Sequence, residues 1–204
     1  MSIRDKVKKG YEEGDYSSTY RLNRDLKDFE VRLFNKMLEM IGDNCRILDL
    51  GCGTGLPFDR FLVNRGHEVQ GIDITEKHVE MAKENVPQAD YETGDLMEVD
   101  IQNESYDGII SLYTIFHIPK EEHKRVLKKI HSWLRPGGCL LVTMGTEEGE
   151  EESQGEFIGS EMIWSSYSKE RNVEMVKEIG FEVVERYEQD DEENHLWILV
   201  SKEE

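Results

Sequence analysis

The sequence predicts an α/β fold, doubly wound, whose mostly parallel sheet ends in one reversed strand. Three observations carry this. From Arg46 onward, short apolar runs alternate with longer segments of helical period. Alternation at these lengths implies a parallel sheet covered on both faces. The last two apolar runs, 181–187 and 195–201, have only the acidic, polar link 188–194 between them, so they form an antiparallel hairpin. A glycine-rich turn, Asp49-Leu50-Gly51-Cys52-Gly53-Thr54-Gly55, stands at the first strand-to-helix junction.

Taken in order, Arg46–Leu50 (RILDL) is the first strand, and a helix-like segment, 57–64, follows the glycine turn. Residues 68–72 (EVQGI) form the second strand. Thr75 caps a helix running to about Asn85, before Pro87. A short third strand lies at 90–93, and GIISL (108–112) is the fourth. Residues 120–134 place Val126, Leu127, Ile130, Trp133 and Leu134 on one apolar side of a helix. Pro136-Gly137-Gly138 ends that helix and turns into the fifth strand, 139–144. Residues 169–179 are helical and stop at Gly180, a natural C-terminal position. Two segments lie outside this frame. In the first, 1–44, Leu26, Phe29, Leu33, Met37 and Ile41 recur at helical spacing. The second, 145–168, opens with the acidic stretch 147–152, which reads as a solvated loop, and continues with Met162, Ile163, Trp164 and Tyr167.

The 204 residues fit one domain with room for an N-terminal helical extension or lid over 1–44. Lys and Arg number 25 against 44 Asp and Glu, a formal charge of −19, which repels phosphate backbones and argues against nucleic-acid binding. No apolar stretch approaches the roughly 18 residues of a membrane span. The N-terminus starts with charged residues and lacks a signal peptide's apolar core. Cys45, Cys52 and Cys139 show no paired spacing, against a disulfide framework or a zinc site. No His, Asp and Glu cluster has metal-ligand spacing. The expectation is a reduced, cytoplasmic, soluble protein without a metal.

The chemistry concentrates at the strand ends. Glycines in the first turn permit close approach of a ligand to the backbone, and the following helix offers free N–H groups. Asp73 ends the second strand, where a carboxylate can accept from both hydroxyls of a ribose. Asp95 follows Gly94 after the third strand, placed to take an exocyclic adenine amine, with Leu96 beside it to flank the ring. All three lie on the edge where parallel sheets bind ligands. A nicotinamide oxidoreductase would use the same turn and Asp73. However, the dinucleotide pattern G-x-G-x-x-G is broken here, because the third glycine comes one residue early, at Gly55, and Leu56 follows it.

ILDLGCGTG (47–55), Asp73, the Gly94-Asp95-Leu96 step, YDGIISLYTIFHIP (106–119) and LRPGGCLLV (134–142) together resemble the class I S-adenosylmethionine-dependent methyltransferases. The resemblance spans about 45–202. It is nearest to the small stand-alone methyltransferase-domain proteins, whose insert is similar to GSEMIWSSYSKE (159–170). It implies a Rossmann-like seven-stranded sheet of order 3-2-1-4-5-7-6 with strand 7 antiparallel, and S-adenosylmethionine as cofactor. It implies that Gly51, Gly53 and Gly55, with Asp49, Cys52 and Thr54 of the same turn, approach the methionyl part. Asp73 and Ile74 then hold the ribose, Asp95 and Leu96 the adenine, and Ser111 and Leu112 lie beside the methionyl group. Tyr11 and Tyr20 close over the cofactor. Ser111-Leu112-Tyr113-Thr114 replaces the Asp/Asn-Pro-Pro-aromatic signature of amino-directed nucleic-acid methylases. The Pro-Cys pair of cytosine C5 methylases and the thiols of arsenic methylases are also missing.

The expected reaction is methyl transfer to a small-molecule acceptor in one in-line displacement. An idle cofactor binder that regulates a partner is the alternative from the binding class. Tyr113 and His117 follow the fourth strand at the mouth of the site. His117 is either a proton acceptor, since an ordinary imidazole titrates near neutrality, or a histidine that shapes the pocket. Trp164 and Tyr167 either wall the acceptor pocket or anchor the insert. Cys52 reads as a small filler. His67, His78, His123 and His131 read as surface residues.

Overall fold

A computed structural model of the chain describes residues 3–14, 24–147, 153–157, 160–190 and 194–204. Helix α1 (Ile3–Glu13) and helix α2 (Asp28–Ile41) precede the sheet. Strand β1 (Arg46–Leu50), α3 (Phe58–Val63), β2 (Glu68–Asp73), α4 (Glu76–Asn85), β3 (Asp90–Thr93) and β4 (Tyr106–Ser111) follow. Next come α5 (Lys120–Trp133), β5 (Leu134–Gly145), the hairpin β6 (Ser153–Phe157) and β7 (Ser160–Trp164), α6 (Lys169–Ile179), β8 (Phe181–Glu188) and β9 (His195–Lys202). The main sheet has seven strands in the order β3-β2-β1-β4-β5-β9-β8. β9 runs antiparallel to both neighbours, while β1 to β5 pair in parallel. With the β6–β7 hairpin set aside, this is the expected topology.

Both faces of the sheet are dry, as a parallel sheet requires. Successive residues of a strand point to opposite faces. Leu48, Leu50, Ile109, Leu140, Val142, Ile198 and Val200 meet α5 and α6 through Val126, Leu127, Ile130, Met175 and Val176. Ile47, Val69, Ile110, Leu141, Trp197 and Leu199 meet α2 and α3 through Leu33, Phe34, Met37, Phe58 and Leu62. The spacing of Leu33 and Met37 thus marks the inward stripe of α2. Its first turn is fixed by the fully buried Glu30, which accepts the Lys27 backbone N–H at 2.8 Å and a charge-assisted fork from Arg24.

The structure corrects two expectations. α5 stops at Trp133 and β5 already begins at Leu134, paired with Tyr106, so Pro136-Gly137-Gly138 lies inside the strand rather than ending the helix. The residue two before a proline has gone extended, and the register shifts between Tyr106 and Gly108 absorb the glycines. Within the insert β6 and β7 pair from Ser153↔Trp164 to Phe157↔Ser160, while the loop expected at 147–152 lies, but for Glu147, outside the described residues. Three of the four histidines read as surface residues are buried, namely His67, His78 and His123. Each has a local partner: His67 Nδ1 accepts the Cys45 N–H, His78 faces Asp73, and His123 Nε2 bonds the Ile118 carbonyl. All three cysteines are free, and no helix among the described residues is long and apolar enough to cross a membrane.

Candidate functional site

The C-terminal ends of β1, β2 and β4 open on a cavity of about 110 Å³. Its floor is the glycine turn. The Gly51 and Cys52 N–H groups donate to the Ile72 carbonyl at 2.7 and 3.1 Å, and the Gly53 N–H donates to Asp73 Oδ2 at 2.9 Å. These bonds fold the turn back against β2. Gly51 has φ +82°, and a Cβ there would collide with the Thr114 side chain. Gly53, at φ +54°, would point a Cβ into open space, so the turn presents bare backbone to the cavity.

Asp73 is the most connected group. Its Oδ1 accepts the Thr75 N–H at 2.9 Å and the Thr75 hydroxyl at 2.6 Å, and His78 Nδ1 lies 3.5 Å away. Burial alone would raise its carboxyl. The hydrogen bond and charge of His78, with the Thr75 donors, outweigh that and hold it below the usual carboxylate range. Thr75 thus serves Asp73 and does not cap α4 with its side chain, as the sequence suggested. Asp95 accepts the Met97 N–H at 2.8 Å and pairs with Arg4 at 3.2 Å, and Arg4 also forks onto Glu122 at 3.0 and 2.8 Å. Arg4, Val7 and Tyr11 of α1 close the cavity from above. Val7 and Tyr11 in turn pack against Met162, Ile163 and Trp164 of β7.

His117 stands in the single 3-10 turn after β4 and is buried. Its Nδ1 lies 3.0 Å from the Ile163 carbonyl and its Nε2 lies 2.8 Å from the Tyr11 hydroxyl. A carbonyl only accepts, so Nδ1 carries the hydrogen and Nε2 accepts from Tyr11. Burial, with the nearby charge of His195, pushes the imidazole down to about 4, so it is neutral near pH 7. Tyr113 has φ +59°, a sparsely populated conformation for a large side chain, held by its N–H on Thr143 Oγ1 and by ring contacts with His195 and Trp197.

Of the sequence-proposed residues, Asp49, Gly51, Cys52, Gly53, Thr54, Asp73, Ile74, Asp95, Leu96, Leu112, Tyr11, Tyr113 and His117 line the cavity. Gly55 and Ser111 do not line it. Gly55 abuts Tyr91, and the Ser111 hydroxyl donates to the Leu50 carbonyl at 3.1 Å, tying β4 to β1. Trp164 stands behind the wall, its ring 6.2 Å from that of His117. Tyr167 lies away from the cavity and anchors the insert, edge-on to His123 and beneath Lys120. Tyr20 falls outside the described residues. Cys52 is buried and its thiol is pushed well up, which suits a filler and not a nucleophile. Among the described residues no group of His, Cys, Asp and Glu could hold a metal ion. Sequence reasoning missed Arg4, Val7, Leu56, Phe58, Ile72, His78, Thr114 and Ile118. Thr114 and Ile118 carried a signal, as members of the run 106–119.

The family model described as a methyltransferase domain matches residues 47–138. The chain is 31% identical over 181 residues to the 27-O-demethylrifamycin SV methyltransferase of Amycolatopsis mediterranei, covering 84% of this chain and 60% of that protein. It spans 60% or less of the first curated relatives it matches. Among solved structures, a methyltransferase of Methanosarcina mazei aligns with a TM-score of 0.73 at 17% identity, covering 88% of this chain and 99% of that one. Haemonchus contortus phosphoethanolamine N-methyltransferase 2, solved with phosphomonomethylethanolamine and S-adenosylhomocysteine, aligns with a TM-score of 0.73 at 19% identity. That alignment covers 100% of this chain and 61% of that one.

Proposed function

From the premise that the chain carries a class I S-adenosylmethionine-dependent methyltransferase domain, we propose that it methylates a small-molecule acceptor in the cavity beneath α1. The observation that carries this reading is the roof. α1, backed by β7, covers the edge of the sheet on which the glycine turn, Asp73 and Asp95 converge. A covered cavity suits a small acceptor and excludes water from the reacting centre. Helix α1 thus acts as lid, while α2 packs into the transferase body.

The residues present fit S-adenosylmethionine. Bare backbone at Gly53 leaves room for the methionyl part, and Asp73 and Asp95 offer carboxylate oxygens to ribose hydroxyls and an adenine amine. The cofactor supplies an activated sulfonium methyl, so the protein's work is alignment and exclusion of water. Leu112, Tyr113 and Thr114 form the cavity wall after β4. His117 is neutral and keeps one acceptor lone pair, now engaged by Tyr11. An acceptor hydroxyl or amine that replaces Tyr11 at Nε2 would find a proton acceptor there.

Calorimetry with S-adenosylhomocysteine should show micromolar binding, about 8 kcal/mol. No heat and no thermal shift at millimolar ligand would overturn the assignment. With a charge of −19, the protein should not bind duplex DNA or RNA hairpins near physiological salt. A submicromolar anisotropy change would contradict this and turn the search toward a macromolecular acceptor.

A further inference from the structure

Asp95 heads a turn whose outer side is gripped by a lysine that does not line the cavity. The Asp95 carbonyl accepts the Glu98 and Val99 N–H groups at 2.8 and 2.9 Å, and its Oδ1 accepts the Met97 N–H at 2.8 Å. The carbonyls of the same turn meet one cation. Lys129 Nζ of α5 lies 3.1 Å from the Leu96 carbonyl oxygen and 3.0 Å from those of Met97 and Val99. Only the charged ammonium has three N–H donors, so three such contacts describe a protonated lysine. One peptide unit joins Lys129 to Asp95. The Leu96–Met97 peptide turns its carbonyl to the ammonium and its N–H to the carboxylate, so its dipole lies between a cation and an anion. Hydrogen bonds chained in this way polarise and strengthen one another. Asp95 and Leu96, the two residues offered to adenine, both stand on the segment that Lys129 holds. Asp95 Oδ2 carries the Arg4 guanidinium at 3.2 Å, and a carboxylate oxygen has a second lone pair for an amine donor.

We propose that Lys129 is a positioning residue for adenine recognition: through the Leu96–Met97 peptide, its ammonium fixes the Asp95 carboxylate and Leu96 for the purine's exocyclic amine and ring. This rests on the cofactor reading above. A carboxylate only accepts, so Asp95 held in this way selects a purine that brings an amine and rejects one that lacks it. Without the ammonium, three carbonyls lose their common donor, and the turn that aims Asp95 relaxes. Burial and the neighbouring Arg125 lower the Lys129 ammonium, while Glu98, Asp95 and Asp100 hold it up, so the lysine feels the carboxylate it positions. Were Lys129 only a tie between α5 and the turn, its loss would weaken every ligand of the cavity alike.

Titration calorimetry with S-adenosylhomocysteine and with its 6-deamino analogue, in which hydrogen replaces the purine amine, separates the two roles. The native chain should prefer the amine by about tenfold or more, the contribution of one hydrogen bond to a charged group. Lys129→Met keeps a long apolar stem but no donor. It should bind S-adenosylhomocysteine more weakly and the deamino analogue nearly as the native chain does. The preference should thus fall at least about threefold, half the contribution of that hydrogen bond. Should Lys129→Met not fold, Lys129→Gln, whose amide still donates to a carbonyl without the charge, carries the same comparison. A folded variant that keeps the native preference, even with both affinities lowered together, overturns the inference while leaving the cofactor reading intact. A native chain that binds both ligands equally overturns it along with the adenine role of Asp95. No binding of either ligand by the native chain overturns the cofactor reading as well.

Discussion

Asp73→Ala should weaken S-adenosylhomocysteine binding by roughly tenfold to a few hundredfold, as expected for losing one or two hydrogen bonds to a charged group at about 1.5–3 kcal/mol each. The loss has two sources. The carboxylate presents its charge to the cavity where a ribose would lie, and it holds the cavity's own floor through the Gly53 N–H. Without it the Gly53 and Thr75 amides and the Thr75 hydroxyl lose their common acceptor, and His78 loses its neighbour. Asp73→Asn separates the two. The amide oxygen still accepts from one side, so the turn stays tethered, but the charge is gone. If ribose recognition is the larger part, Asp73→Asn binds almost as poorly as Asp73→Ala while melting close to the native chain. Isothermal titration with thermal unfolding of all three proteins measures this. An unchanged dissociation constant in Asp73→Ala would mean that Asp73 does not hold the ribose.

The sheet was legible because its signals are local and redundant. Each core strand is a short apolar run, and the sheet buries both faces, so the runs stay apolar throughout instead of alternating. The cavity floor was legible for a related reason: only glycine backbone suits the turn, and the acidic residues at strand ends stand at fixed places on one edge. The roof was not. Val7 and Tyr11 lie in a polar, charged segment whose burial depends on β7, some 150 residues later in the chain. β7 itself follows an acidic stretch that gives no hint of a strand. His78 and His123 looked like surface residues because helical spacing says nothing about a polar partner such as Asp73 or the Ile118 carbonyl. Asp59, fully buried in the first turn of α3 with the Tyr91 hydroxyl donating to it, was invisible for the same reason, since a carboxylate in a first helical turn ordinarily faces water and favours the dipole. In each case the deciding interaction is tertiary and polar, the kind that periodicity cannot record.

The roof also carries the second large expected effect, in acid. His117 is buried with its imidazole at about 4, below the ordinary 6.5. Between those values the unfolded chain binds the proton and the folded chain does not, so stability contributed by the neutral imidazole is present above about 6.5 and is lost as pH falls toward 4. The full difference corresponds to about 3 kcal/mol. The buried His123, also lowered by burial, acts in the same direction. Asp59 acts in the opposite one, because its raised carboxyl takes up a proton in the folded state first. The native curve alone therefore mixes opposing terms, and the informative quantity is a difference between proteins. His117→Gln can donate to the Ile163 carbonyl and accept from Tyr11, but it does not titrate. Urea unfolding at pH 7.5, 6 and 5 should show the variant gaining on the native chain as pH falls, with a relative change of up to about 3 kcal/mol, the linkage limit for this one group. The gain should concentrate where α1 and β7 meet, read as slower hydrogen exchange in α1 at pH 5 relative to the native chain. Parallel stability profiles for the two proteins would show that His117 takes up its proton without strain, and a neutral acceptor at the lid would then no longer describe the site.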